Sequence, residues 1–120
     1  MARTAIVNTQ CARNSSAVQT ETVYPGGATG TGAGYYFGLT GMADERFLIY
    51  LRETGGATGS VWIKEGDYDA DSQGDLEVIV GASVAKVVGP LEGARFRTSG
   101  GAVNIDTGGF TGVISGIALP

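Results

Sequence analysis

Residues 46–66, RFLIYLRETGGATGSVWIKEG, contain two strand-like runs joined by a glycine-rich turn. In the second run Val61 and Ile63 share one face and Trp62 lies on the other, because successive side chains of a strand point to opposite faces. The GGATG between the runs (55–59) is interpreted as a hairpin-type connection. This stretch therefore predicts β-structure with one clearly apolar face and a second face that is partly apolar.

Short runs of the same kind, each closed by Gly, Asn, Asp or Ser, recur along the chain. They are TAIVNTQ (4–10), AVQTETV (17–23), YYFGL (35–39), RFLIYLRE (46–53), GSVWIKEG (59–66), DLEVIVG (75–81), VAKVVG (84–89), ARFRT (94–98), AVNID (102–106) and GVISGIAL (112–119). Roughly ten strands at this spacing predict an all-β fold, a single-domain antiparallel β-sandwich of jelly-roll type with Gly-rich loops. ADER (43–46) is expected to form at most one helical turn.

The length and composition favour one folded domain. The chain has 120 residues, of which 21 are Gly, and a chain of this length encloses a single hydrophobic core. We expect one β-sandwich domain over residues 1–120, with residues 1–16 as an extended N-terminal arm. Cys11 is the only cysteine, so no internal disulfide is possible.

The charge and hydropathy of the chain argue against two classes of partner. The formal net charge is −4 and the eight basic residues are scattered, whereas nucleic-acid binding requires clustered Lys and Arg. The longest strongly apolar run, FLIYL (47–51), is far shorter than the ~20 residues of a membrane-spanning helix. We therefore expect a soluble protein, made in a cytoplasm, that binds neither nucleic acid nor membranes.

The acidic stretch DYDADSQGDLE (67–77) begins like a calcium-binding loop, because its first carboxylates alternate. The calcium template requires Gly at its sixth position and Glu at its twelfth. Ser72 and Val78 stand there instead. We predict a solvent-exposed loop with no required metal, although an irregular site of oxygen ligands remains an alternative.

No catalytic constellation is recognisable in the sequence. The chain has no His to activate a serine nucleophile. The tripeptide DTG (106–108) resembles the catalytic loop of aspartic proteases, but too little chain follows it to complete that fold. The glycines of segment 25–34 precede a strand-like run, whereas a phosphate-binding loop precedes a helix. A non-enzymatic protein without a cofactor is expected.

Four segments resemble a family of small structural proteins encoded in the capsid-gene region of tailed bacteriophages. They are LTGMADERFLIYLRE (39–53), VWIKEGD (61–67), GDLEVIVGASVAKVVGPLEGARF (74–96) and TGVISGIALP (111–120). The phrase VVGPLEGARF (87–96) is the most specific part. The resemblance implies a capsid decoration, or cement, protein, which is a β-sandwich that binds the outside of the head lattice, often as a trimer.

This resemblance sets the expected partners and location. The partners are the major capsid protein of the assembled head and further copies of the chain in a homotrimer. The protein would reside on the capsid exterior of the virion and in the host cytoplasm during assembly. The alternative is another binding part of the virion, such as a tail, neck or fibre module. A glycan-binding module of this kind needs an aromatic platform, for which Tyr35, Tyr36 and Trp62 are the candidates.

The segment after the Gly89-Pro90 turn supplies candidate interface residues. Leu91 and Phe96 are placed to anchor an apolar contact, while Arg95 and Arg97 are placed to reach an acidic partner. The alternative is that this segment is an ordinary turn and core strand. Trp62, on the second face of the strand VWIKE, is added to this set. The predicted oligomer or capsid interface is therefore Trp62, Leu91, Arg95, Phe96 and Arg97.

Overall fold

The computed structural model describes residues 4–6, 8–19, 23–24, 34–39, 46–67 and 74–120. These residues form β1 (Thr4–Ala5), β2 (Asn8–Gln10), β3 (Val23–Tyr24), β4 (Tyr35–Gly38), β5 (Phe47–Glu53), β6 (Gly59–Ile63), β7 (Leu76–Val80), β8 (Ala85–Val88), α1 (Gly93–Phe96), β9 (Ala102–Gly108) and β10 (Gly112–Ala118). The predicted all-β class is confirmed. Most of ADER (43–46), the first GGATG (26–30) and residues 68–73 of the acidic stretch lie outside the described residues.

The strands form two packed sheets. Sheet A has the order β1-β4-β9-β6-β7 and sheet B the order β2-β10-β5-β8, with β3 pairing the start of β10. β1 runs parallel to β4 and β2 runs parallel to β10, whereas the other pairs are antiparallel. The sandwich is confirmed, but its sheets are mixed rather than purely antiparallel, because one N-terminal segment adds a strand to each sheet. The jelly-roll winding stays a prediction.

The core lies between the inner faces of the two sheets. Burial alternates along β5, where residues 47, 49, 51 and 53 are buried, as period-two strands require. The largest fully buried apolar side chains are Phe37, Phe47, Phe110, Ile49, Leu51, Ile63, Ile105 and Ile114. The rings of Phe37 in sheet A and Phe47 in sheet B meet edge to face with centroids 5.1 Å apart, which joins the two layers.

The glycine-rich connection 54–58 is not the predicted hairpin. β5 belongs to sheet B and β6 to sheet A, so the chain crosses between the sheets here. The buried carboxylate of Glu53 accepts hydrogen bonds from the N–H groups of Gly55 (2.5 Å) and Thr111 (3.3 Å). The connection is thereby attached to the β9–β10 turn rather than closing a hairpin of its own.

The run ARFRT (94–98) is not a strand, which corrects a second expectation. Residues Gly93–Phe96 form the single helical turn α1. The carbonyl of Glu92 accepts hydrogen bonds from the N–H groups of Arg95 (3.1 Å) and Phe96 (3.0 Å). The turn directs Phe96 into the core, where its side chain is 4% exposed.

The N-terminal segment covers one edge of the sandwich, which we call the closed edge (residues 4–11). The N–H of Thr4 donates to the carbonyl of Gly34, just before β4, and the N–H of Ile6 donates to the carbonyl of Tyr36 in β4, each at 2.9 Å. The N–H of Cys11 donates to the carbonyl of Ala118 in β10 at 2.7 Å. Ile6 is 5% exposed and belongs to the core. This part of the predicted arm is therefore integral to the domain.

The opposite edge is formed by β7 and β8, and we call it the open edge (residues 76–88). In the part of the chain that the structure describes, β7 pairs only with β6, and β8 pairs only with β5. The two strands are joined by a short turn in which the N–H of Val84 donates to the carbonyl of Gly81 at 3.0 Å. Edge strands of this kind can pair with a strand of another chain.

Candidate interaction surfaces

A row of two carboxylates and an indole crosses the outer face of sheet A. The register pairs Trp62 of β6 with Asp106 of β9 on one side and with Glu77 of β7 on the other. Trp62 is half-buried and Glu77 is exposed, and the hydroxyl of Ser60 donates to Glu77 Oε2 at 2.8 Å. We call Asp106, Trp62 and Glu77 the acidic–aromatic row.

The neighbouring row on the same face contains one ammonium group. Lys64 Nζ lies 2.7 Å from Asp75 Oδ2 and 3.8 Å from Asp106 Oδ2. The backbone N–H of Lys64 donates to Asn104 at 2.9 Å, which places Lys64 beside the middle strand. Asp106 is fully buried although it lies on the outer face, so Lys64 supplies a positive charge close to a carboxylate that has left water.

Asp75 is the carboxylate with the best-defined electrostatic environment. Its partial burial by itself raises the pKa of the carboxyl, but the hydrogen bonds from Lys64 Nζ and from the N–H of Glu65, with the charges of Lys64 and Arg95, outweigh that effect. The pKa of Asp75 is therefore lowered from its ordinary value. The ionised form of this residue helps to hold the start of β7 against β6.

The face that carries Trp62 is more polar than the sequence predicted. The cross-strand neighbours of Trp62 are both carboxylates, and Lys64 and Ser60 flank it along β6. A subunit contact made through a second apolar face does not fit these surroundings, since burying the carboxylates without partners is costly. The charge pattern instead suits a partner that brings a positive charge.

The predicted apolar anchors Leu91 and Phe96 pack inside the domain. Phe96 is part of the core, and Leu91 is half-buried against it. Both line a pocket of about 10 Å³, together with Leu39 and Phe47, which is room for no more than about one water molecule. Packing of this segment against the core of its own domain accounts for the positions of both side chains.

The predicted basic residues make intramolecular contacts. Arg95 donates from Nε to the carbonyl of Gly74 (3.1 Å) and from Nη2 to the carbonyl of Asp75 (3.3 Å), and its guanidinium lies 4.6 Å from the centroid of the Phe96 ring. Arg97 donates from Nη1 to the carbonyl of Leu39 at 2.9 Å. The five predicted interface residues thus do not form one patch, and Trp62 alone lies on the outer face of a sheet.

An exposed apolar group that the sequence analysis did not select lies on the open edge. Ile79 is 54% exposed, Val84 42% and Val87 60%. All three lie within residues 79–87, which we call the apolar edge segment. The sequence contained one signal, because the alternation in LEVIV leaves Ile79 on the face opposite Leu76, Val78 and Val80.

The acidic stretch has protein partners at both of its described ends. Asp67 accepts a hydrogen bond from the N–H of Ser99 at 2.8 Å, and Asp75 binds Lys64. Within the described ranges, no group of three or more His, Cys, Asp or Glu residues is placed to hold a metal ion. Residues 68–73 lie outside those ranges, so the prediction of a metal-free loop stays a prediction.

The DTG tripeptide (106–108) is part of β9 rather than of a loop. Asp106 and Thr107 are both buried, on opposite faces of sheet A. Of the three candidate platform aromatics, Tyr35 packs against the core, whereas Tyr36 and Trp62 lie on the outer face on strands separated by β9. No helix among the described residues is long and apolar enough to cross a membrane.

Comparison of the chain with protein-family models, with curated proteins and with solved structures finds no match. The phage resemblance of the four sequence segments therefore enters the functional argument as a proposal.

Proposed function

We propose that this protein is a non-enzymatic decoration protein that binds the outer surface of an assembled bacteriophage capsid and stabilises it. The resemblance of segments 39–53, 61–67, 74–96 and 111–120 to the decoration family supports this function. The observation that carries it in the structure is the apolar edge segment. A small domain that exposes Val84 and Val87 at one edge, with Ile79 on the adjoining outer face of sheet A, has apolar surface suited to association.

The open edge suits association between copies of the chain. Its two outermost described strands, β7 and β8, present backbone donors and acceptors beside exposed apolar side chains. Pairing or packing of such edges removes both from water. In this proposal three copies associate through Val84 and Val87 of the apolar edge segment, whereas Ile79 lies with Trp62 on the outer face of sheet A.

Trimer formation explains how so small a module holds a capsid. A domain of this size offers a patch of roughly 800 Å² or less, the lower end for a stable contact. Once the first copy in a trimer has bound, the remaining contacts are intramolecular, and avidity rises by factors on the order of 10² to 10⁴. The matching spacing exists only on the assembled lattice, so isolated capsid subunits are poor partners.

The test combines light scattering with binding to heads that lack this protein. We expect the wild-type chain to be a trimer, to bind expanded heads and raise their thermal stability, and to ignore isolated capsid subunits. The double variant Val84→Ser/Val87→Ser should be a folded monomer whose affinity for heads falls by about 10² or more. Val18→Ser is the matched control, because Val18 is 93% exposed and lies outside the open edge.

A monomeric wild-type chain that binds single capsid subunits tightly would overturn the trimer argument. A wild-type chain that does not bind heads under any salt condition would overturn the proposed function itself.

A further inference from the structure

We infer that the acidic–aromatic row of sheet A is the docking site for an arginine side chain presented by the capsid surface. This inference rests on the proposed function and adds the chemistry of the contact. It assigns the indole of Trp62 as the platform and the carboxylate of Glu77 as the ion-pair partner. Val84 and Val87 then serve association between copies, and the acidic–aromatic row, which shares the outer face of sheet A with Ile79, serves the partner.

The charge around the indole determines the sign of the ligand. Trp62 lies between Asp106 and Glu77 in the register of three adjacent strands. The face of an indole attracts cations through its quadrupole, and Trp is the best aromatic partner for them. The exposed carboxylate of Glu77 beside the indole adds to the same attraction, so a cation is favoured here and an anionic group is repelled.

The charge of Lys64 acts mainly on the other side of the row. Its Nζ is 2.7 Å from Asp75 and 3.8 Å from Asp106, so it partly compensates those two carboxylates. Glu77 is exposed and its Oε2 is oriented by Ser60 at 2.8 Å. An incoming cation therefore forms its ion pair with Glu77, which is the solvent-exposed end of the row.

Arginine fits this geometry better than lysine does. A guanidinium is planar, stacks on an aromatic face and donates several hydrogen bonds in its own plane. It can therefore lie over the Trp62 ring while donating to Glu77, whereas an ammonium group has no flat face to stack. The domain already contains this kind of contact, since Arg95 stacks on the Phe96 ring at 4.6 Å.

A neutral sugar is the competing occupant, and electrostatics separates the two. Sugar hydroxyls would use Trp62 as a stacking platform, but they gain little from the net charge of Glu77. Binding of an arginine weakens when that charge is removed and when salt is added. Binding of a neutral glycan depends little on the net charge of residue 77 or on salt, because Gln retains a hydrogen-bond acceptor there.

The test measures binding of four variants to expanded heads that lack this protein. Trp62→Ala should weaken binding about tenfold or more, as expected for a Trp at the centre of a contact, and Trp62→Phe should give a smaller loss while retaining the packing of the face. Glu77→Gln should weaken binding about threefold. Glu92→Gln is the matched control, because Glu92 is exposed beside α1 and is not part of sheet A.

The salt dependence provides the second measurement. Raising the NaCl concentration from about 50 to about 500 mM should weaken wild-type binding more than it weakens Glu77→Gln binding, since only the wild type loses that ion pair to screening. Light scattering should find the same trimer for all variants. A Trp62 effect with no Glu77 effect and no salt effect would overturn the arginine assignment in favour of a neutral glycan.

Failure of this inference is distinct from failure of the proposed function. If the wild type binds heads and the Trp62 and Glu77 variants bind equally well, the acidic–aromatic row is not the docking site, although the decoration role stands. If the wild type does not bind heads, both are overturned.

Discussion

The two edges of the sandwich show how one small domain separates stability from interaction. At the closed edge, residues 4–11 add a strand to each sheet and bury Ile6 in the core. At the open edge, β7 and β8 expose Ile79 and Val87 and are joined to the rest of the protein by strand pairing on one side.

The difference lies in which free-energy terms hold each edge. The closed edge is held by buried apolar area and by backbone hydrogen bonds from both sheets, which depend little on salt or pH. The open edge begins next to a surface ion pair, Lys64 with Asp75, and its apolar side chains Ile79, Val84 and Val87 are exposed. We therefore expect substitutions at the closed edge to unfold the domain and substitutions at the open edge to alter association.

The largest contrast should come from truncating one apolar side chain at each edge. Ile6→Ala removes a side chain that is 5% exposed, and we expect a loss of about 2–4 kcal/mol in the free energy of unfolding. Val87→Ala, at 60% exposure, should change it by less than about 0.5 kcal/mol. Urea titration at a concentration where light scattering finds single chains measures both.

Equal losses in the free energy of unfolding would contradict this expectation, because they would mean that the Val87 side chain is buried in the folded domain. No loss from Ile6→Ala would mean that the N-terminal segment does not contribute to the core in solution.

A second contrast compares two glycines. Gly116 lies on the buried face of β10, where an added methyl group would collide with Asn8 Oδ1 and lie 2.8 Å from the Phe47 ring. Asn8, in β2, also donates to the carbonyl of Gly38 in β4 at 3.1 Å. The methyl group would therefore push β2 away from β10 in sheet B and disturb its hydrogen bond to sheet A. We expect Gly116→Ala to cost about 1–3 kcal/mol.

Gly81 of the open edge is the matched position. A methyl group there would meet only the Val84 side chain, at 3.3 Å, and the φ of Gly81 lies outside the left-handed region. Gly81→Ala should be neutral or stabilise by a few tenths of a kcal/mol, since Ala restricts the unfolded chain. Thermal unfolding of the two variants side by side tests this, and a larger loss from Gly81→Ala would contradict it.

The all-β class was predictable because it depends on local patterns. The alternation in VWIKE (61–65) places Val61 and Ile63 on one face, and both side chains are fully buried in β6. The partners of each strand were not predictable, since pairing depends on contacts between distant residues. The connection at 54–58 crosses between the sheets and is attached to Thr111, 58 residues away, through Glu53, and nothing in GGATG reveals that.

The predicted interaction residues show the same limit. Trp62 was placed correctly on the second face of its strand, because side-chain alternation is local. Phe96 was a candidate either for a surface contact or for an ordinary core position, and α1 turns it into the core. Arg95 and Arg97 were expected to reach a partner, but they donate to carbonyl groups of their own chain. The sequence identifies the chemistry of a side chain, but the residues that this side chain contacts are determined by the fold.

The smallest expected effect concerns the pH dependence of the open edge. The pKa of Asp75 is lowered from its ordinary value of 3.8, so its contribution to stability is fully present above that ordinary value and is lost as the pH falls through the lowered pKa. Asp75→Asn should therefore cost about 0.5 kcal/mol near neutral pH, since the Lys64 pair is close to the surface, and the difference should vanish in acid.

Amide hydrogen exchange assigns this effect to one edge. In Asp75→Asn the amides of β7 should exchange faster than in the wild type at neutral pH, because Asp75 no longer offers Lys64 a charged partner at the start of that strand. The amides of β2 should be unchanged, because the closed edge contains no part of this ion pair. Glu92→Gln is the control for loss of an exposed carboxylate and should alter neither strand. If exchange accelerates equally at both edges, the domain opens as one unit and the two edges are not energetically separate. If only β7 responds, the open edge opens on its own, and the two edges are stabilised independently.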